Sequence, residues 1–193
     1  MMTARGQEPR VRIIGGLWRG RRLAFPARAG LRPSPDRVRE TLFNWLAPHL
    51  PGARCLDLFA GSGVLGFEAL SRGADRATLV EKDPPAQAAL RHTVQQLQAK
   101  TATVIEREAL NFLASLPPRS FDIVFLDPPF GTGLLQAALT LVISRGILTP
   151  TGFLYIETAA EEAFEPPAGF RWHRHSRAGQ VAFGLITQTQ ELQ

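Results

Sequence analysis

Cysteine is almost absent from this chain of 193 residues: Cys55 is the only one, which excludes an internal disulfide and any cysteine-built zinc site within one chain. Its apolar surroundings are those of a buried thiol. Long apolar runs are missing as well. None approaches the roughly 18 residues a membrane span requires, and the polar opening MMTARGQEPR has no secretory pattern, so no membrane partner is expected and the expected address is the cytoplasm. Lysine is scarce, Lys82 and Lys100 being the only two, and there is no internal repeat or low-complexity segment. A hydrophobic share of 45% at this length suits one sizeable core with a short appendage.

What charge there is lies unevenly. Residues 1–40 hold ten arginines (Arg5, Arg10, Arg12, Arg19, Arg21, Arg22, Arg28, Arg32, Arg37 and Arg39) against Glu8, Asp36 and Glu40, so that segment is +7 and the remainder −2. A bias toward arginine over lysine explains the residue type but not the clustering. A basic arm on a nearly neutral body suits a polyanion, because phosphate contacts release counterions and give sequence-independent affinity.

Within the arm, VRIIGGLWRGRRLAF (11–25) carries two β-prone stretches around Gly15-Gly16, which predicts a hairpin with positive φ at that turn and arginines on its open face. A helix follows, with Ser34 as N-cap, Pro35 at its first position and Asp36 favourable to the dipole. Val38, Leu42 and Trp45 recur at helical spacing and Pro48 closes the element.

From residue 54 the pattern alternates: strands at 54–59, 76–81, 101–105, 121–126 and 152–157, and helices at 63–72, 84–99, 108–115 and 133–145. Alternation of this kind implies a parallel sheet covered on both faces. Leu90, Val94 and Leu97 supply one buried helical stripe, and Asn111, Phe112 and Leu113 read as helix and core. Two last β-like stretches, FRWHRHSR and QVAFGLIT, joined at Ala178-Gly179, complete the edge as an antiparallel hairpin. The expected fold class is therefore α/β, Rossmann-like and mostly parallel with a C-terminal antiparallel hairpin, preceded by a small basic N-terminal hairpin. The expected division is a basic arm at 1–30 and an α/β domain at 31–193.

Two motifs carry chemistry. DLFAGSGVLG (57–66) follows a strand and opens a helix, so Gly61 and Gly63 let the backbone approach a ligand at a helix N-terminus, while Glu81, at the end of the next strand, can accept the hydroxyls of a ribose. The same spacing satisfies a dinucleotide-binding pattern, which keeps a nicotinamide-dependent oxidoreductase among the readings. Asp57 weighs against it: an acid ahead of the glycines repels a pyrophosphate but suits the ammonium of an amino-acid-bearing cofactor such as S-adenosylmethionine, although a helix or loop cap is the competing role.

The sharper signal is Asp127-Pro128-Pro129-Phe130, directly after the apolar strand FDIVFL. Two prolines remove two backbone donors and leave a stiff turn that offers acceptors, the Asp127 carboxylate and the Asp127 and Pro128 carbonyls. Such a turn suits an amino group. It can draw the lone pair of an exocyclic base nitrogen out of the ring, with Phe130 stacked on the base, so positioning and electrostatics carry the catalysis.

Taken together these stretches resemble the 16S rRNA guanine-N2 methyltransferases called RsmD. The resemblance rests on RIIGGLWRGRRL (12–23), LRPSPDRVRETLFNWLAP (31–48), CLDLFAGSGVLGFEALSRGA (55–74), DIVFLDPPF with GLL soon after (122–135) and AGQVAF (178–183), in that order. It implies S-adenosylmethionine as methyl donor, S-adenosylhomocysteine as product and no metal. As substrate it implies one guanine of 16S rRNA within an assembling or assembled small ribosomal subunit; a monomer is expected. Carried over by position, Asp57, Gly61 and Gly63 line the methionine half of the cofactor, Glu81 the ribose, and Glu108 the adenine, where the family usually has Asp or Asn; Ala60, Ser62 and Lys82 are expected among the cofactor-binding residues. The resemblance also assigns Arg37, Arg39 and Thr41 to a cofactor-flanking segment. Asp127, Pro128, Pro129 and Phe130 hold the guanine, and Arg10, Arg12, Trp18, Arg19, Arg21 and Arg22 grip RNA. His92, where an Asn is common, reads as a surface difference.

Other readings keep the donor and change the acceptor, to adenine N6 in DNA or a protein glutamine. The lack of a target-recognition domain argues against DNA, and Asp at 127 leans away from glutamine. A non-catalytic RNA-binding module is the remaining alternative. His173 and His175 alternate along a strand without an acid or Cys to complete a metal set, so a basic edge hairpin is expected there. Trp18 is suited either to base stacking or to packing the hairpin down.

Overall fold

A computed structural model describes residues 9–27 and 34–189. Arg5, Arg28 and Arg32 of the arginine cluster and the LRP that opens the second family stretch lie outside the described residues.

The arm forms an antiparallel pair, β1 (Arg10–Arg12) and β2 (Arg22–Ala24), in which Val11 faces Leu23. Period-2 alternation turns Val11 and Leu23 into the core, with Ile13 and Phe25, and leaves Arg10, Arg12 and Arg22 exposed. The connection is not the tight turn expected at Gly15-Gly16. Residues 13–21 form a longer loop, and Gly16 and Gly20, rather than Gly15, take positive φ. The loop docks on α2 (Val64–Ser71): Leu17 N donates to the Ser71 carbonyl at 2.7 Å, Ser71 Oγ donates to Gly15 O at 2.6 Å, and Trp18 N donates to Ser71 Oγ at 2.9 Å. A Cβ at Gly16 would lie 1.8 Å from the Ser71 carbonyl oxygen, so tertiary contact, not hairpin chemistry, shapes the turn.

Helix α1 spans Asp36–Leu46 and buries Val38, Leu42 and Phe43. Its N-cap is Pro35, not Ser34, and no side chain caps it, because the Ser34 hydroxyl is turned toward two carboxyls of the site described below. The α-helix ends before Pro48, which is the second residue of a further 3-10 turn, Ala47–His49, where a proline's missing donor costs nothing. Arg39, fully buried, ties the arm to the body: its guanidinium reaches the carbonyls of Ser34 and Arg12, and pairs with Asp36 and, at 3.5 Å, with Glu68. Glu68, equally buried, also accepts from Ile14 N at 2.9 Å and from Arg72 Nε at 2.9 Å.

The main sheet has seven strands: β3 (Arg54–Asp57), β4 (Arg76–Glu81), β5 (Ala102–Glu106), β6 (Phe121–Leu126), β7 (Leu148–Ala159), β8 (Phe170–Ala178) and β9 (Val181–Gln188). Their order is β5-β4-β3-β6-β7-β9-β8, with β9 antiparallel to β7 and β8 and all other pairs parallel. Connecting helices α3 (Pro84–Leu97), α4 (Ala109–Ala114) and α5 (Leu134–Ser144) cover the faces with α1 and α2. One face packs Val38, Leu42, Phe67 and Leu90 on Cys55, Ile123, Phe125 and Tyr155; the other packs Phe112, Leu113, Leu139 and Val142 on Leu56, Val124 and Leu154. In α3, Ala86, Gln87 and Thr93 are buried beside Leu90 and Leu97, whereas Val94 is partly buried. No helix among the described residues is long and apolar enough to cross a membrane.

Strand β8 forms the outer edge and carries the basic run expected of it. A bulge between Trp172 and Arg174 breaks its alternation. His173 therefore packs on His49 and Phe153 on one face, while His175 stacks on Trp172 on the other, so the two imidazoles do not converge.

Candidate active site

Strand order reverses between β4 and β6 around β3, and the crevice at such a switch point is where open α/β sheets bind ligands. Here it widens into a cavity of about 1130 Å³. That is somewhat larger than the range of about 300–1,000 Å³ usual for one small ligand, so a cofactor and a flipped base can share it.

Side chains alternate along each strand, so Asp57, Asp127 and Glu157 extend the face that carries Cys55, Phe125 and Tyr155. Together with Glu81 they make an acidic floor. Asp57, almost fully buried, accepts from Gly66 N at 3.0 Å in the first turn of α2. The capping role foreseen for it is found, and the same side chain lines the cavity. Burial chiefly, opposed by the Gly66 N–H and aided by the Glu81 charge, pushes its carboxyl up to about 7. An ammonium arriving beside it would return it to the ionised state. Gly61 and Ser62 line the cavity, but Gly63 does not; its φ of 73° starts α2, and a Cβ there would meet Leu90 and Phe67 at 2.5 and 2.7 Å.

Glu81 is already engaged by the backbone, accepting from Gly61 N on one oxygen and from Lys82 N and Asp83 N on the other, at 2.8–2.9 Å. A carboxylate has about four lone-pair sites, so about one remains, on Oε2, for a ribose hydroxyl. Lys82 and Glu108 pair at 2.8 Å across the rim, which leaves Glu108 Oε1 holding an ammonium and Lys82 serving as a clasp between β4 and α4. Arg37 and Thr41 do not line the cavity: Arg37 is exposed, and Thr41 Oγ1 donates back to the Arg37 carbonyl, one helical turn away. Ser34 and Pro35, just before α1, line it instead.

At the opposite wall the Asp127–Phe130 turn leaves β6. Pro128 is buried, and Phe130 is 48% exposed at the cavity mouth, an open aromatic face. Thr132 Oγ1 donates to the Pro129 carbonyl at 2.7 Å and stiffens the loop into α5. Asp127 opens on the cavity and faces Ser34 Oγ at 3.2 Å; Ser34 Oγ lies 2.8 Å from Glu157 Oε2, which also accepts from Tyr155 Oη at 2.6 Å. Burial, and then the neighbouring Glu157, hold the Asp127 carboxyl well above the ordinary carboxylate range, and burial raises Glu157 as well. Sequence reasoning missed Glu157 and misassigned Ser34. The available signal was that Glu157 ends an apolar strand run just as Asp57, Glu81 and Asp127 end theirs.

The arm residues Arg10, Arg12, Arg19, Arg21 and Arg22 are exposed, with Arg12 Nε on Asp36 at 2.7 Å. Trp18 is half-buried against the core, which favours its packing role. Among the described residues no cluster of His, Cys, Asp or Glu is arranged to hold a metal ion.

A sheet of this order, with an acid-flanked glycine loop facing an Asp-Pro-Pro-Phe turn across one crevice, defines a Rossmann-like class I methyltransferase. The same fold is found in the Thermus thermophilus 16S rRNA N2 G1207 methyltransferase RsmC in complex with AdoMet and guanosine, at TM-score 0.71 and 20% identity, over 95% of this chain and 50% of that one. The chain belongs to the family described as conserved hypothetical protein 95, whose model matches residues 11–187. It is 48% identical, over 176 residues that cover 91% of this chain and 88% of the relative, to ribosomal RNA small subunit methyltransferase D of Escherichia coli strain K12. A solved Escherichia coli structure described as methyltransferase yhhF superposes with TM-score 0.85 at 45% identity, covering 93% of this chain and 98% of that one.

Proposed function

We propose that this chain methylates the exocyclic N2 amino group of one guanine in 16S rRNA, in small subunits assembling in the cytoplasm. The observation that carries the reading is the acceptor-rich Asp127–Phe130 turn facing the acid-flanked glycine loop within one cavity. Its support is the near-full-length similarity to the methyltransferase D relatives.

The cavity suits S-adenosylmethionine: Asp57 answers the ammonium, Gly61 and Ser62 let the chain pass close, Glu81 keeps one acceptor site for a ribose hydroxyl, and Arg107 to Ala109 border the space left for the adenine. Bound there, the cofactor supplies an electrophilic methyl group and leaves as S-adenosylhomocysteine. The protein's part is to hold the acceptor. A guanine amino nitrogen is a poor nucleophile because its lone pair is shared with the ring; the Asp127 carboxylate and the turn's carbonyls, by accepting its hydrogens, favour a pyramidal nitrogen. Phe130 offers the base a stacking surface, and fixed acceptors in a closed site need no reorganisation. The arm of residues 1–30, with Arg10, Arg12, Arg19, Arg21 and Arg22 outward, grips the RNA phosphates, and residues 31–193 form the catalytic domain of a monomer.

The test is transfer of labelled methyl to small subunits from cells that lack the modification, followed by nucleoside analysis. Label in N2-methylguanosine is expected. No label, while a known methyltransferase works on the same particles, refutes the reading.

A further inference from the structure

We infer that Asp127, Ser34 and Glu157 act as one proton-holding unit, in which Ser34 relays a resident proton from Asp127 to Glu157 and so frees Asp127 to accept the amino proton. This rests on the proposed amino-methyl transfer, which leaves an extra proton on the acceptor nitrogen.

The argument begins with counting donors. Ser34 Oγ lies 3.2 Å from Asp127 Oδ2 and 2.8 Å from Glu157 Oε2, yet a hydroxyl has a single proton and can donate to only one of them. Tyr155 Oη, at 2.6 Å, supplies a separate proton to Glu157. With both carboxyls ionised, one of the two contacts to Ser34 would set oxygen against oxygen with no hydrogen between. With one proton on the pair the chain closes in either of two arrangements. In the first, Asp127 donates to Ser34, which donates to Glu157. In the second, Glu157 donates to Ser34, which donates to Asp127.

The groups around the pair favour retention of that proton. Asp57 from β3 and Tyr155 from β7 face it, Ser34 and Glu157 are nearly inaccessible, and burial keeps both carboxyls above their ordinary range, with repulsion from Glu157 adding to it at Asp127. A proton left on Asp127 would disable it as an acceptor. The second arrangement moves that proton to Glu157 and leaves Asp127 ionised, with the Ser34 O–H pointing at it. When the amino nitrogen has gained its methyl group, one N–H bond breaks, its electron pair stays on nitrogen, and the proton forms an O–H bond on Asp127. The pair then holds two protons, and one leaves to water through the open cavity, which restores the starting state. Asp127 touches the substrate; Ser34 and Glu157 are positioning residues that act through it.

The test has one arm without substrate and one with it. Carbon-13 NMR of the side-chain carboxyls in the full chain, assigned with Asp127→Asn and Glu157→Gln, follows both groups against pH. A shared proton makes both signals move through the same two steps in the wild type. Ser34→Ala separates them into independent titrations, and Glu157→Gln leaves Asp127 with one step. In the methylation assay Ser34→Ala removes a donor that favours the ionised Asp127, so the acid limb of the kcat profile moves to higher pH. At neutral pH kcat falls about 100-fold, the scale of general-base catalysis, with KM for both substrates little changed. Ser34→Thr, which keeps the hydroxyl, restores the limb. Independent one-step titrations in the wild type, or a Ser34→Ala profile with an unmoved limb, overturn the relay. If the wild type methylates no guanine, the functional reading fails, and the NMR arm still decides whether the proton is shared.

Discussion

Glu68→Gln removes one negative charge from a place where two guanidiniums depend on it. Glu68 is fully buried and meets three donors: Ile14 N, Arg72 Nε and the Arg39 guanidinium. Glutamine fits the same space and can still accept from Ile14 N, so packing and the hairpin contact survive. What it cannot do is compensate Arg39, whose side chain has no exposed surface, or Arg72, which is 19% exposed. Breaking a buried pair from one side costs about 3–5 kcal/mol. Asp36 continues to pair with Arg39, which puts the expected loss at the lower end, about 3 kcal/mol. In a chain of this size that lowers the unfolding midpoint by about 6–12 °C. Urea denaturation of wild type and variant measures the loss directly. A variant within about 0.5 kcal/mol of wild type, the range of an ordinary surface substitution, would show that the pair is not what seats the arm on the body.

Four other outcomes follow from the same structure. Asp57, raised to about 7 from an ordinary 3.8, takes up a proton on folding, so its contribution to stability is full below the unfolded value and is lost as pH rises through about 7. Without ligand, wild-type stability should therefore fall relative to Asp57→Asn between pH 4 and pH 7, at up to roughly 1.4 kcal/mol per pH unit; parallel curves would reject the shift. If the ammonium of S-adenosylhomocysteine needs the ionised carboxylate, calorimetric affinity should rise up to about tenfold per pH unit toward pH 7 in wild type only. Replacing Arg19, Arg21 and Arg22 with alanine should lower the slope of log affinity for RNA against log salt by about 0.7 to 0.9 per lost phosphate contact; an unchanged slope would mean that the arm does not touch RNA. Gly16→Ala should destabilise the chain and loosen the hairpin, since its Cβ would lie 1.8 Å from the Ser71 carbonyl, and hydrogen exchange at Leu17 and Trp18 reads this directly.

The alternating core was legible because period-2 and period-3.6 patterns state which face of each element is apolar, and Cys55, Phe125 and Tyr155 obey them. The glycine loop and the Asp-Pro-Pro-Phe turn were legible because each joins a strand end to backbone chemistry that few other residues supply. What stayed hidden depended on partners far away in sequence. Ser34 stands where a cap is expected, and nothing local reveals two carboxyls 93 and 123 residues on that compete for its hydroxyl. Gly15-Gly16 has the composition of a tight turn, and only the C-terminal end of α2 decides that the loop docks there instead. Arg39 counted toward a basic arm, yet its charge is spent internally on Asp36 and Glu68, so the arm's outward charge is smaller than its sequence suggests.

The central claim is that an amino group held by the Asp127 turn and a methyl donor held by the glycine loop meet in one crevice. A crystal structure of the chain with sinefungin, which carries an amine in place of the transferable methyl, tests it most directly. The account predicts the amino-acid end of the analogue beside Asp57 and Gly61, with the amine directed toward Asp127 and Pro128. An analogue seated away from the glycine loop, or one whose amine turns from that wall, would contradict it.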